Sequence, residues 1–286
     1  MSDFIKKVIQ THYPDTKILS TQSVSGGCIN NAVQVITDNN PYFLKWNRPE
    51  LSGMFSVEKQ GLAILNKHSS IISPQAIASD TLENKSYLLT EWISKGTPNP
   101  QFWEDFGKNL ALQHKVSSSY FGLDHDNFIG SLPQSNKQHT SWYDFFIEER
   151  LTPQLKLATS KNLITKELVS KFESLFNHLE NLIPNENPAL LHGDLWSGNF
   201  IIAESGEAAI FDPAVYFGHR ETELAFTKLF GGFDQRFYSS YQDNYPIQHG
   251  FEDRVDIHNL YPLLAHVNLF GSSYLSGIIQ TLNRFS

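Results

Sequence analysis

Hydrophobic spacing divides the chain into a strand-rich first third and a helical remainder. Phe4, Ile5, Val8 and Ile9 fall on one side of a short amphipathic helix in MSDFIKKVIQTHYP. Four β-prone runs follow: Ile18-Leu19, Ala32–Ile36, Tyr42–Trp46 and Tyr87–Trp92, separated by turn chemistry such as Thr37-Asp38-Asn39-Asn40-Pro41. One helix interrupts them, from Phe55 to Lys67, with Val57, Ala63, Ile64 and Leu65 at helical spacing and Ser52 or Gly53 near its start. The Gly/Pro-containing stretch Ser94–Pro100 then predicts a hinge.

Beyond the hinge, Asp105–Ser117 carries Phe106, Leu110, Ala111 and Val116 at helical spacing. A longer apolar stripe predicts one helix from Lys161 to Ile183, closed by Pro184. Phe200–Ala203 and Ala208–Phe211, joined by Glu204-Ser205-Gly206-Glu207, predict a hairpin, and aromatic-rich helices follow it. The pattern is α+β: a small β-rich lobe over 1–93 containing one helix, and a larger, mostly helical lobe over 94–286 that begins with the hinge at 94–100. Ligands favour clefts between such lobes.

Composition narrows the classes without choosing among them. The 286 residues are 40% apolar and 18% charged, an ordinary globular balance. Lys and Arg number 22 against 30 Asp and Glu, a net charge of −8, which lacks the electrostatic footprint of a nucleic-acid binder. No apolar run approaches the ~18 residues of a membrane span. The opening residues do not read as a signal peptide, so a cytoplasmic location is expected. Cys28 is the only cysteine, which excludes an internal disulfide.

The sharpest chemical signal is LLHGDLWSGNF at Leu190–Phe200. It holds His192-x-Asp194, and Asn199 leads directly into the predicted hairpin; Asp212 stands just past the hairpin's end. A hairpin returns the chain to its starting end, so Asn199 and Asp212 are expected at one mouth, with Asp194 on the loop before it. Three such oxygen donors suit a hard cation such as Mg²⁺ and a proton-accepting carboxylate. Phosphoryl transfer from ATP needs this set: Asp194 to take a hydroxyl proton, Asn199 and Asp212 to hold the metal on the nucleotide phosphates. Each Asp taken singly would be an ordinary turn or cap residue. The spacing together with the hairpin points instead to chemistry.

Upstream residues fit the same reading by their order. Ser23–Ala32, with Gly26 and Gly27, is a small-residue loop able to lay backbone N–H groups over phosphates. Lys45 lies in a predicted strand and could pair with phosphates; Glu58 falls early in the next helix and could hold Lys45. Read separately, these are a hairpin turn, a solvated lysine and a helix-start carboxylate. The P-loop, Gly-x-Gly-x-x-Gly, Gly-x-Ser-x-Gly and His-Glu-x-x-His motifs are absent. Asp124-His125-Asp126-Asn127 breaks calcium-loop spacing, and His114 reads as a buried, hydrogen-bonded core histidine.

These landmarks resemble the fructosamine kinase (ketosamine-3-kinase) family, in the aminoglycoside-phosphotransferase and choline-kinase branch of the protein-kinase-like fold. The resemblance rests on Gly26-Gly27-Cys28-Ile29-Asn30, the strand around Lys45, Glu58 with Gly61-Leu62, and FGLDHDNFIGSLPQSN at Phe121–Asn136. It continues through Trp142…Arg150-Leu151-x-Pro153-Gln154, HGDLWSGN, DPAVYFGHRE at Asp212–Glu221 and LFGGF at Leu229–Phe233, covering nearly the whole chain. It implies ATP- and Mg²⁺-dependent phosphorylation of the sugar 3-hydroxyl of a small or protein-bound ketosamine, whose unstable product releases the amine in deglycation repair.

The family's pattern carries the catalytic base to Asp194, the Mg²⁺ ligands to Asn199 and Asp212, and the phosphate-positioning pair to Lys45 and Glu58. It implies adenine contacts by the backbone of Glu91 and Ile93, and a substrate side shaped by Trp196, Asp126, Asn127, His219, Arg220 and Glu221. Gln113 departs from the leucine usual before the histidine at 114. Cys28 has two open readings: a small inert loop residue, or an oxidisable thiol linking two chains in place of a monomer. A kinase for another hydroxylated amine and a non-catalytic, redox-responsive nucleotide-binding regulator are the alternatives.

Overall fold

The computed structural model describes residues 2–24, 30–48 and 52–285 and resolves two compact units. The first comprises Met1–Phe102 together with Gly198–Pro213; the second comprises Trp103–Ser197 with Ala214–Ser286.

The first unit is built on five antiparallel strands, β1 (Ile18–Ser23), β2 (Asn31–Thr37), β3 (Tyr42–Asn47), β4 (Ala76–Leu82) and β5 (Lys85–Glu91), in the order β1-β2-β3-β5-β4. Two helices accompany them, α1 (Asp3–His12) and α2 (Ser52–His68). Phe4, Ile5, Val8 and Ile9 of α1 bury against Val33, Val35, Leu44 and Leu89. Alternation along the strand sends neighbouring side chains to opposite faces. Leu44 therefore belongs to the α1 core, while Lys45, opposite Leu88 in the ladder, takes the face where Leu88 packs with Phe55 and Leu62 of α2.

β4 escapes the sequence pattern because AIASDTL is an edge strand carrying polar Ser79, Asp80 and Thr81. It is joined to β5 by Glu83 and Asn84 at φ 48° and 60°, the left-handed pair that a tight hairpin turn needs.

The hairpin forms as Phe200–Ile202 against Ala208–Ile210, but the expected boundary at residue 93 is corrected. Its backbone is tied into the first unit, with Ile210 N–H donating to Ile72 O at 2.8 Å and Gly96 N–H to Ile202 O at 3.0 Å. Asn99 N–H adds a bond to Gly206 O at 3.1 Å, so the segment Ser94–Pro100 is strapped by backbone contacts.

The second unit is mostly helical, around a core that includes Trp142, Phe145, Phe146, Phe172, Leu264 and Leu282. The single helix expected over Lys161–Ile183 is instead two, Lys166–Phe176 and Leu179–Leu182. Asn162 at φ 56° breaks the start, Thr165 caps the first helix through Leu168 N–H, and Asn177 and His178 close it with tighter bonds to Ser174 O and Leu175 O. The apolar stripe is still buried at Leu168, Phe172, Leu175, Leu179 and Ile183. A short ladder pairs Ala189–Leu191 with Tyr216–Gly218, which brackets the His192–Ser197 loop. Among the described residues no helix is long and apolar enough to cross a membrane.

Candidate active site

In the first unit, three of the expected residues converge on one point. Lys45 Nζ lies 2.6 Å from Glu58 Oε1 and 2.8 Å from Asp212 Oδ1, with the lysine side chain only 5% exposed. The Phe55 ring centroid, one turn before Glu58 on α2, is 5.9 Å from the ammonium. Burial by itself would discharge the lysine, but the Asp212 and Glu58 carboxylates overcome it and raise its pKa. Glu58 moves up to about 7: burial raises it and Asp212 adds like-charge repulsion, against the pull of Lys45.

Asp212 itself is half exposed and has φ 56°, a left-handed conformation that Asp tolerates better than most residues. Phe211 N–H donates to Asn199 O at 3.1 Å, so the hairpin brings Asn199 and Asp212 to one mouth, as its register requires. An amide oxygen and a carboxylate at that mouth are hard donors that fit Mg²⁺. The direct Lys45–Asp212 contact was not among the sequence-derived pairings, because nothing in spacing joins residues 167 positions apart. Glu91 ends β5, its N–H donating to Gln75 O at 3.0 Å, and Ile93 follows two residues on. Gly26, Gly27 and Cys28 lie outside the described residues.

In the second unit, Asp194 is half-buried on the loop after the strand Ala189–Leu191. Its N–H donates to His192 Nδ1 at 3.3 Å. Gly193 has φ 83°, and a Cβ there would stand 2.0 Å from Ala214 O, so no other residue fits this turn. Trp196 is half-buried and meets the Phe230 ring edge-on at 5.7 Å.

Several residues expected on the substrate side are internal, which corrects that expectation. Arg220 is buried and bidentate to Glu186, and also donates to Tyr245 O and Pro246 O. Glu221 pairs with Arg254 and His258; burial opposes its charge, but these donors bring its pKa down to about 2. His219 caps the helix Arg220–Leu229 through Nδ1, which accepts from Glu221 N–H, and its Nε2 bonds Pro184 O. Burial, then the neighbouring His258, lowers His219 to about 4.

Asn127 is buried too, donating to Val215 O at 2.8 Å and accepting from Gln134, while exposed Asp126 accepts from Asn136 N–H. A charged run such as His219-Arg220-Glu221 reads as surface in sequence, because burial by ion pairing leaves no periodic trace. The buried Glu223 was missed for the same reason. His114 is the core histidine expected, bonded to Tyr241 and Glu223.

A fructosamine kinase family model matches residues 1–285. The chain belongs to the fructosamine kinase family. It is 38% identical over 274 residues to a "Probable ketoamine kinase" of Lactiplantibacillus plantarum, covering 95% of this chain and 96% of that one. It is 37% identical over 288 residues to "Protein-ribulosamine 3-kinase, chloroplastic" of Arabidopsis thaliana, covering 99% and 87%. A solved structure described as "Putative fructosamine-3-kinase" from Thermobifida fusca superposes with a TM-score of 0.89 at 29% identity, covering 99% of this chain and 98% of that one. An aminoglycoside phosphotransferase in ternary complex with AMP-PNP and hygromycin B superposes with a TM-score of 0.67 at 14% identity, covering 100% and 99%, which shows the shared protein-kinase-like fold. This α+β fold, a β-sheet unit plus a helical unit, agrees with the sequence reading of the fructosamine kinase member described here.

Proposed function

We propose that this fructosamine kinase family member is an ATP-dependent phosphotransferase that acts on the 3-hydroxyl of ketosamines, fructosamine or ribulosamine, in deglycation repair. The observation that carries the reading is the buried Lys45 ammonium held jointly by Glu58 and Asp212, in a chain whose relatives are named ketoamine and ribulosamine kinases.

The roles follow from chemistry. The sugar oxygen attacks the γ-phosphorus, the bond from that phosphorus to the β–γ bridging oxygen breaks, and ADP leaves; Asp194 takes the hydroxyl proton. Lys45, fixed in place by Glu58, neutralises nucleotide phosphate charge. Asn199 and Asp212 are the oxygen donors for Mg²⁺, which when bound offsets charge on the β- and γ-phosphates. Gly26 and Gly27 are assigned to the phosphates, and the backbone at Glu91 and Ile93 to adenine. Of the substrate-side candidates, Trp196 is retained, since it neighbours Asp194 and carries an apolar ring face suited to a sugar.

The experiment is an ATP-coupled assay with ribulosyl-lysine and fructosyl-lysine, reading the acceptor by mass spectrometry for one added phosphoryl group. A product with an aminoglycoside or choline and none with either ketosamine would move the substrate class. A disulfide between two chains at Cys28 is a separate proposal. A monomer on non-reducing gels after oxidation, with full activity, would dispose of it.

A further inference from the structure

We infer that Glu223 is a positioning residue for the proposed phosphoryl transfer: it sets the backbone of the Asp194 loop from below, and His114 fixes its orientation. This rests on the reading of Asp194 as the proton acceptor.

The N–H groups of the two residues before Asp194, His192 and Gly193, both point at one buried carboxylate. Gly193 N–H donates to Glu223 Oε1 at 2.7 Å, and His192 N–H donates to Oε2 at 3.2 Å. The His114 Nε2 ring nitrogen completes the set at 2.9 Å from Oε2. The Glu223 and His114 side chains are 1% and 0% exposed. Burial works against the charge on Glu223, yet these donors lower its pKa, so the group under the loop is an ionised acceptor.

A tight turn of this kind needs such a partner. Residues 192–194 follow a strand of only three residues, Ala189–Leu191, and Gly193 turns at φ 83° against Ala214 O. Two consecutive N–H groups here find an acceptor in Glu223. Because Glu223 gives one oxygen to each of two consecutive amides, it fixes the peptide planes on either side of His192, one residue before the peptide that leads into Asp194.

Glu223 is in turn braced from the other side. The ionised Glu223 carboxylate can only accept, so His114 Nε2 carries the hydrogen that faces it, while His114 Nδ1 lies 2.8 Å from Tyr241 Oη. The Tyr241 ring stands beside Arg220, itself clamped by Glu186. Elements distant in sequence, around residues 114, 186, 220 and 241, thus fix the donor that orients Glu223. This explains the burial of a charged run that would otherwise be costly.

The test uses the full chain with ATP and ribulosyl-lysine, and reads three quantities. E223Q places an amide NH₂ where one acceptor stood, facing a donor. Its kcat is expected to fall about ten- to a hundredfold, with KM for ATP within about twofold, because the loop moves while the nucleotide residues do not. Amide exchange of residues 190–194 should accelerate in E223Q and not in E221Q, a buried carboxylate that does not touch the loop. H114Q, which can still donate to Glu223, should keep kcat within about threefold, whereas H114L should follow E223Q. Unchanged kcat and unchanged loop exchange in E223Q, or equal kcat in H114Q and H114L, would overturn the inference. If E223Q does not fold, the H114Q and H114L pair decides. If the wild-type chain phosphorylates no ketosamine, the substrate reading fails, and loop exchange alone still decides whether Glu223 sets the backbone.

Discussion

Lys45 Nζ donates to Asp212 Oδ1 at 2.8 Å, joining a strand residue near the start of the chain to a residue just past the hairpin, 167 positions later. The contact exists because the hairpin Phe200–Ile202 to Ala208–Ile210 is bonded into the first unit at Ile72 and Gly96, and because strand alternation turns Lys45 away from the α1 core. Two carboxylates then share one buried ammonium.

Removing the ammonium should expose the repulsion it suppresses. In K45M, Glu58 protonates near neutral pH in place of pairing, so the stability loss is expected at about 1–3 kcal/mol, the cost of a buried polar group without its partner. ATP turnover should fall far more, by about a hundredfold or beyond. Chemical denaturation alongside steady-state kinetics separates the two effects. A variant as active as the wild type would remove Lys45 from the phosphate site.

Glu58 gives a pH dependence with a defined sign. Its folded pKa of about 7 lies above the usual value of 4.5, so the folded state holds more protons than the unfolded between those values. Its contribution to stability is therefore complete below pH 4.5 and is lost as pH rises through 7. E58Q should flatten that part of the stability profile. Activity runs the other way, because the ion pair with Lys45 needs the ionised carboxylate, so nucleotide use should rise through pH 7.

His219 predicts acid sensitivity. Its folded pKa, lowered to about 4 from 6.5, means the unfolded chain binds the extra proton first, so stability is lost as pH falls from 6.5 toward 4. Glu221, held near 2 by Arg254 and His258, adds a further loss as pH falls below 4.5. H219N keeps a capping acceptor and should reduce the loss above pH 4. Denaturant midpoints between pH 4 and 7 measure it.

How much of this the sequence discloses depends on what each feature leaves in the pattern. The α1 face, β2, β3, β5, α2 and the hairpin are legible, because each alternates or repeats apolar residues with the period of its element. Lys45, Glu58, Asn199 and Asp212 are legible as an ordered set. β4 is not, since an edge strand with Ser79, Asp80 and Thr81 carries little apolar signal. Glu223 and Arg220 are not either, because their burial is offset by partners on distant elements rather than by spacing. The helix break at Asn177-His178 is hidden for the opposite reason: the apolar stripe continues across it unchanged.

Gly193 should tolerate no side chain. A Cβ would stand 2.0 Å from Ala214 O, at a φ of 83° that costs any other residue about 1–2 kcal/mol. G193A is expected to lower kcat by about a hundredfold or more, since the loop must shift to admit the methyl group. A fully active G193A, checked at a temperature where it is folded by circular dichroism, would show that the loop has room.

The most direct measurement is mass-spectrometric detection of phosphoryl addition to ribulosyl-lysine and fructosyl-lysine, with wild-type protein and D194N side by side in ATP and Mg²⁺. A singly phosphorylated ketosamine is expected with the wild type and about 10²–10⁴-fold less with D194N, with ATP binding retained. ATP binding without phosphorylation of either ketosamine by the wild type, or equal product from D194N, would contradict it.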